Sequence, residues 1–480
     1  MGGSGGRARS RRSIALALLA TTTLVCAGCG SSKSTTTKPS KASPTPVASS
    51  TSSSAATVPS TPAGAQMKWL IGASAQLPIP AAAVRAHFDA TVLSKITPTA
   101  LNQALASVGA QLGGSGAVHL ARIEVNQPRG LVATIARGGG PARLRATLAV
   151  DGHGLISSLL FKPVEPATPT SWQAIDGAVR AVAPDVRVLV AKVNGGSCQA
   201  LHAVDASTPA PLGSMFKLYV LDALGRAIAA HKLTWSERLT VTAAVKALPS
   251  GVLQNEPDGT KLSVREVVDK LISISDNTAA DMLIRRLGQP AIDSALTTSG
   301  MADPARDESF LTPRELFILK LDQWPVLAQR YVAAGPAQRR ALLARIDAMP
   351  LPPLAAAKPW IAPRDIDTIE WFASADDICR VYASLSALAR RPGLSPVAGA
   401  LEINDGGLVL DPAQWRTTWF KGGSEPGVLT LSYLATTRTG HTYVVTVLAE
   451  NPSAPISEAS ALPVMLSAIK GAFTLAAAHG

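Results

Sequence analysis

Apolar positions in this chain fall into one early run, a long stretch without periodicity, and two regions of regular patterning. The run Ile14–Val25 has twelve residues, too short to span a bilayer. From Gly30 to about Gln66 the chain is mostly Ser, Thr, Pro and Ala, a composition that predicts a disordered tether. As a coil such a tether has ends on the order of 30 Å apart, and at full stretch it reaches about 120 Å. Regular patterning begins near Met67. Helical spacing over Ala81–Leu93 and Pro98–Val108 precedes four runs with strand character, "VHLARIEV", "LVATIA", "ARLRATLAV" and "LISSLLF". Gly/Pro turns at "RGGGP" and "DGHG" separate the later runs, so helices followed by an antiparallel meander predict an α+β layer ending near Ala167.

The second region, Thr168 to Gly480, opens with the strand "VRVLVAKV" and continues into a long helical middle. It closes with "VLTLSYLATT" and "HTYVVTVLAE", joined by the turn "RTG", and a helix over Ala459–Ala478. Strands at both ends with helices between predict one antiparallel sheet assembled from both termini, with a helical lobe beside it. The expected organisation is therefore a signal over residues 1–28, a tether over 29–66, an α+β domain over 67–167 and a larger α+β domain over 168–480.

Composition adds little to this picture except at the N-terminus. The formal charge of the 480-residue chain is +12, but Arg7, Arg9, Arg11 and Arg12 belong to the signal. The remainder is spread thinly, without a Lys/Arg block and with 4% aromatics, which argues against nucleic acid as a partner. Those arginines, the short apolar run and "VCAGCGSS" form an export signal whose small residues precede Cys29 as in a bacterial lipobox. Cys26 stands where that pattern usually has Leu, and "SRRSIAL" resembles a twin-arginine signal. The expectation is a chain lipidated at Cys29 and anchored on the outer face of the cell membrane. Cys198 and Cys379 remain in the folded part. Export permits a disulfide, yet their separation says nothing about proximity, and two inert buried thiols fit equally well.

Candidate chemistry begins with "GSMFKLYV". The helix it opens is apolar on every side, so it belongs in a core, yet Lys217 sits inside it one turn after Ser214. A buried lysine that gives up its proton is a base, and a base beside a hydroxyl activates a nucleophile. "TPAPLG" upstream puts Ser214 at the helix N-terminus, where N–H groups favour developing negative charge. A serine cap with a snorkelling lysine would explain the pair taken alone. In "SISDNTAADML", Ser275-Asp276-Asn277 occupies the corner between two helices, the first opened by a Ser263–Glu266 capping box. In "WFKGGSEPGVLTLSY", Lys421 ends a short apolar run and Gly422-Gly423 allows close backbone approach before a long strand.

Ser-x-x-Lys, Ser-Asp-Asn and Lys-x-Gly before a terminal strand, in that order, resemble the class A β-lactamases and penicillin-binding proteins over roughly residues 170–480. "SDNTAADMLI" reads like that family's segment throughout, and "LTPRELF" resembles the helix start after its omega loop. The tether and α+β domain ahead of this fold resemble a small actinobacterial group, including a protein of the clavulanic acid cluster, whose N-terminal domain is NTF2-like or steroid-isomerase-like. The resemblance implies Ser214 as nucleophile, Lys217 as its base and Ser275 as proton relay. It also implies Asn277, Lys421 and Gly423 as substrate-binding residues, and the N–H groups of Ser214 and Ser424 as oxyanion hole. No cofactor is implied, and the seven histidines show no ligand spacing such as HExxH.

Three departures qualify the resemblance. Only "GMADPARDESF" precedes "LTP", so the loop is short and the family's deacylating Glu-x-x-Leu-Asn is absent. Its acids are Asp303, Asp307 and Glu308, of which Glu308 is the first candidate for a substitute base. Gly422 removes the hydroxyl of Lys-Thr-Gly, and about fifty inserted residues, Asp322–Trp371, stand ready to roof the cleft. The expected activity is an acyl-enzyme serine hydrolase of β-lactams or related amides and esters, with slow deacylation. A D-alanyl-D-alanine peptidase or esterase needs the same triple, and so does a β-lactam or peptidoglycan sensor that stays acylated.

Overall fold

The computed structural model describes residues 56–138, 142–353 and 360–478. The export signal, Cys29, the tether up to residue 55, part of the "RGGGP" turn and the middle of "MPLPPLAAAKPW" lie outside the described residues. Two compact units stand out, one built from residues 56–167 and 457–464 and one from residues 168–456 and 465–478.

The smaller unit has helices α1 (Pro62–Ser74), α2 (Ala81–His87), α3 (Ala90–Leu93) and α4 (Pro98–Leu112). They precede a meander of β1 (Val118–Gln127), β2 (Gly130–Arg137), β3 (Arg143–Val150) and β4 (Ile156–Pro163), antiparallel in chain order. Period-two alternation decides which face is buried: Leu131 lies opposite Leu148, Ala133 opposite Ala146 and Ile135 opposite Leu144. These share a core with Met67 and Leu70 of α1 and with Leu101, Leu105 and Leu112 of α4. Helix α1 starts upstream of residue 67, inside the segment whose composition suggests tether. Thr61 accepts a hydrogen bond from the Gly64 N–H at 3.1 Å and Pro62 opens the first turn, so the same Thr and Pro serve as helix start signals. The pattern over Ala81–Leu93 gives two helices, because Phe88 turns extended into the core and Asp89 caps α3 through the Val92 N–H.

In the larger unit, α5 (Trp172–Arg180) leads into β5 (Asp185–Asn194), β6 (Ser197–Val204) and the short β7 (Ala210–Pro211). Helix α6 (Lys217–Ala229) follows a 3₁₀ turn over Gly213–Phe216. The ribbon of β8 (Arg238–Thr240) and β9 (Lys261–Ser263) then precedes α7 (Val264–Ser273), α8 (Asn277–Leu287), α9 (Gln289–Thr298) and α10 (Pro313–Leu321). The inserted segment folds as α11 (Val326–Ala333) and α12 (Pro336–Asp347) before β10 (Phe372–Ala373), α13 (Ala375–Ala389) and α14 (Ser395–Leu401). Strands β11 (Trp415–Glu425), β12 (Val428–Thr437) and β13 (Thr442–Glu450) and, from Met465 onward, helix α15 (Glu458–Ala478) complete the unit.

The main sheet runs β11-β12-β13-β5-β6, antiparallel throughout, so strands from both ends of the unit do form one sheet. Every residue of β12 is buried, as expected of a central strand covered on both faces. Helix α15 is long and apolar enough to cross a membrane, but Met465, Ile469 and Phe473 are buried in the fold and Phe473 packs edge-on to Trp415. That is the pattern of a core helix. Cys198 on β6 and Cys379 on α13 are joined by a disulfide, which resolves their pairing and ties the edge strand to a buried helix.

Candidate active site

Local sequence explains how each functional side chain is placed. Gly213 has φ +51°, a conformation that favours glycine, and it turns the chain from β7 into the 3₁₀ turn carrying Ser214. Helix α6 then buries Lys217 completely, along with its apolar neighbours. Between α7 and α8, Asp276 acts as a cap: it accepts from Ala279 N–H at 2.9 Å, and from Val252 and Leu253 N–H at 2.7 and 2.9 Å. This leaves Ser275 at φ +56°, a strained position for a residue with a side chain, facing Lys217 with both its carbonyl and its hydroxyl.

Lys217 Nζ lies 2.8 Å from Ser214 Oγ, 2.9 Å from Ser275 O, 3.1 Å from Ser275 Oγ and 2.6 Å from Asn277 Oδ1. All four are neutral oxygens. Burial, and after it the charge of Lys421, push the Lys217 amine well below its ordinary value. A neutral amine has two protons and a lone pair, so it can donate to Asn277 and Ser275 and accept from Ser214 Oγ–H. Asn277 is itself fixed by donating from Nδ2 to Leu248 O at 2.6 Å.

Strand β11 delivers the third group. Lys421, 2% exposed, donates from Nζ to Ser275 Oγ at 3.1 Å, and burial pushes its amine down to about 7. Ser275 Oγ thus bridges the two lysines. Gly423 passes so close to the nucleophile turn that a Cβ there would stand 2.2 Å from Leu212 O and 2.5 Å from Ser214 N. A Cβ on Gly213 would stand 2.9 Å from Ser424 N, so the backbone around Ser214 and that around Ser424 are neighbours. The lost Thr hydroxyl has a structural counterpart. A Cβ on Gly422 would meet the Phe420 ring and Thr430 O, both at 3.0 Å.

All the folded site residues singled out from sequence, Ser214, Lys217, Ser275, Asn277, Lys421, Gly423 and Ser424, therefore converge. Glu308 does not. It is exposed and paired with Arg340 of α12 at 3.1 Å, which corrects its standing as first candidate for a substitute base. Asp307 is buried with its carboxylate accepting from Phe372 N–H at 3.0 Å, and burial holds its carboxyl well above the usual range. The chain that closes behind the nucleophile is instead the end of the inserted segment. There β10 pairs with β7, and Glu370 Oε2 accepts from Gly213 N–H at 3.2 Å. No local pattern marks Glu370 in the sequence.

Residues 171–321 match the beta-lactamase enzyme family, and residues 58–156 match a family described as the N-terminal part of an ORF 12 gene product. No curated protein matches the chain. Among solved structures, a β-lactamase from Sphaerobacter thermophilus is 22% identical, with 64% of this chain and 98% of that one covered and a TM-score of 0.45. A β-lactamase from Chitinophaga pinensis is 14% identical over 64% and 98% of the two chains, with a TM-score of 0.43. PBP-A is 16% identical over 65% and 100%, with a TM-score of 0.42.

Proposed function

We propose, from the match of residues 171–321 to the beta-lactamase enzyme family, that the chain is a serine hydrolase whose Ser214 attacks β-lactams or related amides and esters to form an acyl-enzyme. The observation that carries the proposal is the fully buried Lys217 amine, 2.8 Å from Ser214 Oγ and surrounded by neutral oxygens. Ser214 Oγ bonds to the substrate carbonyl carbon while its proton passes to Lys217 Nζ. The oxyanion is received by the N–H groups of Ser214 and Ser424. As the C–N or C–O bond breaks, the proton moves from Lys217 through Ser275 Oγ to the leaving group. Asn277 and Lys421 hold the substrate amide and carboxylate, and Gly423 lets β11 approach. Water then releases the product.

This assignment predicts a pH dependence whose sign follows from the two amines. Lys217 must be neutral to accept a proton, so acylation rises with pH through its lowered pKa. Lys421 must be charged to hold an anionic substrate, so kcat/KM for a penicillin should fall as pH rises through about 7. A neutral p-nitrophenyl ester should keep the rising limb and lack the falling one. Identical profiles for both substrates would remove Lys421 from carboxylate binding.

Glu308 is held by Arg340 and Asp307 is buried with its carboxyl against Phe372 N–H, so neither of these loop acids is free to activate water, and deacylation is proposed to be slow. That same observation favours a second reading, a β-lactam or peptidoglycan sensor that stays acylated. The smaller unit, helices against a four-stranded meander, supports an NTF2-like domain. The Cys198–Cys379 disulfide supports export to an oxidising compartment. With lipidation at Cys29, Cys29→Ala should move the protein from the membrane to the soluble fraction with hydrolysis unchanged. A variant still at the membrane would refute the anchor.

A further inference from the structure

Three ionisable side chains with no part in the acylation steps lie buried directly behind the nucleophile turn. Lys320 of α10 has no exposed surface, and the side chains of Glu370 and Glu425 are 1% and 5% exposed. Lys320 Nζ sits 2.5 Å from Glu425 Oε1 and 3.9 Å from Glu370 Oε1. Both carboxyls thus face the same buried ammonium. Burial pushes both upward, and the nearby ammonium opposes this. Two carboxyls facing one buried ammonium balance its charge when they hold a single proton between them, which leaves the cluster neutral.

What the cluster holds is the telling point. Glu370 Oε2 accepts from Gly213 N–H at 3.2 Å and from Trp371 N–H at 3.0 Å, and Trp371 O accepts from Leu212 N–H at 2.9 Å. Residues 370 and 371 thereby clamp the two residues ahead of Ser214. Glu425 is the residue after Ser424. The cluster therefore joins, through side chains, the two backbone segments that carry the oxyanion donors, and it enlists the inserted segment to do so.

We propose that Lys320, Glu370 and Glu425 form a buried tie that fixes the spacing of the Ser214 and Ser424 N–H groups, with Glu370 as its positioning residue. The proposal rests on the serine-hydrolase reading of Ser214. Glu370→Ala leaves the Gly213 N–H without its acceptor and Lys320 with one carboxyl. Glu370→Gln keeps an acceptor for Gly213 and Trp371 and a neutral polar group beside Lys320.

The test uses the full chain, detergent-solubilised, with two readouts. Acylation by a penicillin is followed by intact mass, and amide hydrogen exchange is followed over residues 212–216 and 423–426. Glu370→Ala should acylate about 10²-fold more slowly, the scale set by one misplaced oxyanion donor, while binding ring-opened penicillin within about twofold of the wild type. Exchange should rise in those two segments and nowhere else. Glu370→Gln should stay within about tenfold in rate and near wild type in exchange. The tie is overturned if Glu370→Ala matches wild type in both readouts, or if both variants lose protection across the whole unit. A wild-type protein that is never acylated would refute the reading of Ser214, and the exchange readout would still judge the tie.

Discussion

Lys217→Ala should lower the rate of acylation at Ser214 by 10²–10⁴-fold, the range in which positioned proton transfer contributes. The magnitude follows from the amine's surroundings. A hydroxyl at neutral pH is a weak nucleophile, and the Lys217 amine is the basic group placed to take its proton. The effect should fall on the chemical step, since Lys217 is fully buried beneath Ser214, Ser275 and Asn277. Lys217→Arg should not rescue, because a guanidinium stays protonated. Stopped-flow acylation with a chromogenic cephalosporin checks both variants. A rate within threefold of wild type for Lys217→Ala would mean another base serves.

A stoichiometric burst followed by slow turnover is the second large effect expected with a penicillin. Loss of a positioned base for the attacking water should slow deacylation by 10²–10⁴-fold relative to an enzyme that has one. The adduct should then persist on the time scale of a mass measurement. Small esters should turn over faster, because their leaving group departs and makes room for water. Glu308→Gln should change nothing, since Glu308 faces solvent against Arg340. Rapid hydrolysis without a burst would contradict the account, and a trapped adduct in Glu308→Gln alone would show that the loop moves to bring that acid in.

Much of the site could be read directly because its parts carry local signatures. The Ser263–Glu266 capping box marks the start of the helix that leads to the Ser275–Asn277 corner, and it forms in the structure, with Asp276 capping the helix that follows. The apolar surround of Lys217 is visible as a helix without a polar face, and its burial follows. Strand β6 left no such mark. It is an edge strand whose residues are mostly exposed or half-buried, so its side chains need not alternate. Helix α1 hid in a Ser/Thr/Pro-rich stretch because its cap uses those same residues. Glu370 was invisible for a different reason. Its importance comes from the pairing of β10 with β7, two residues each, across more than 150 positions of chain. Glu308 misled because nearness in sequence to the loop said nothing of Arg340, which α12 brings from the inserted segment. The disulfide likewise depended on α13 lying against β6, a tertiary fact.

The most direct test of Ser214 as an activated nucleophile is to react the full chain with a penicillin, digest it, and locate the added mass. The account predicts one adduct per chain, on the peptide carrying Ser214, absent from Ser214→Ala. Undiminished labelling of Ser214→Ala, or an adduct mapped to any other residue, would contradict it.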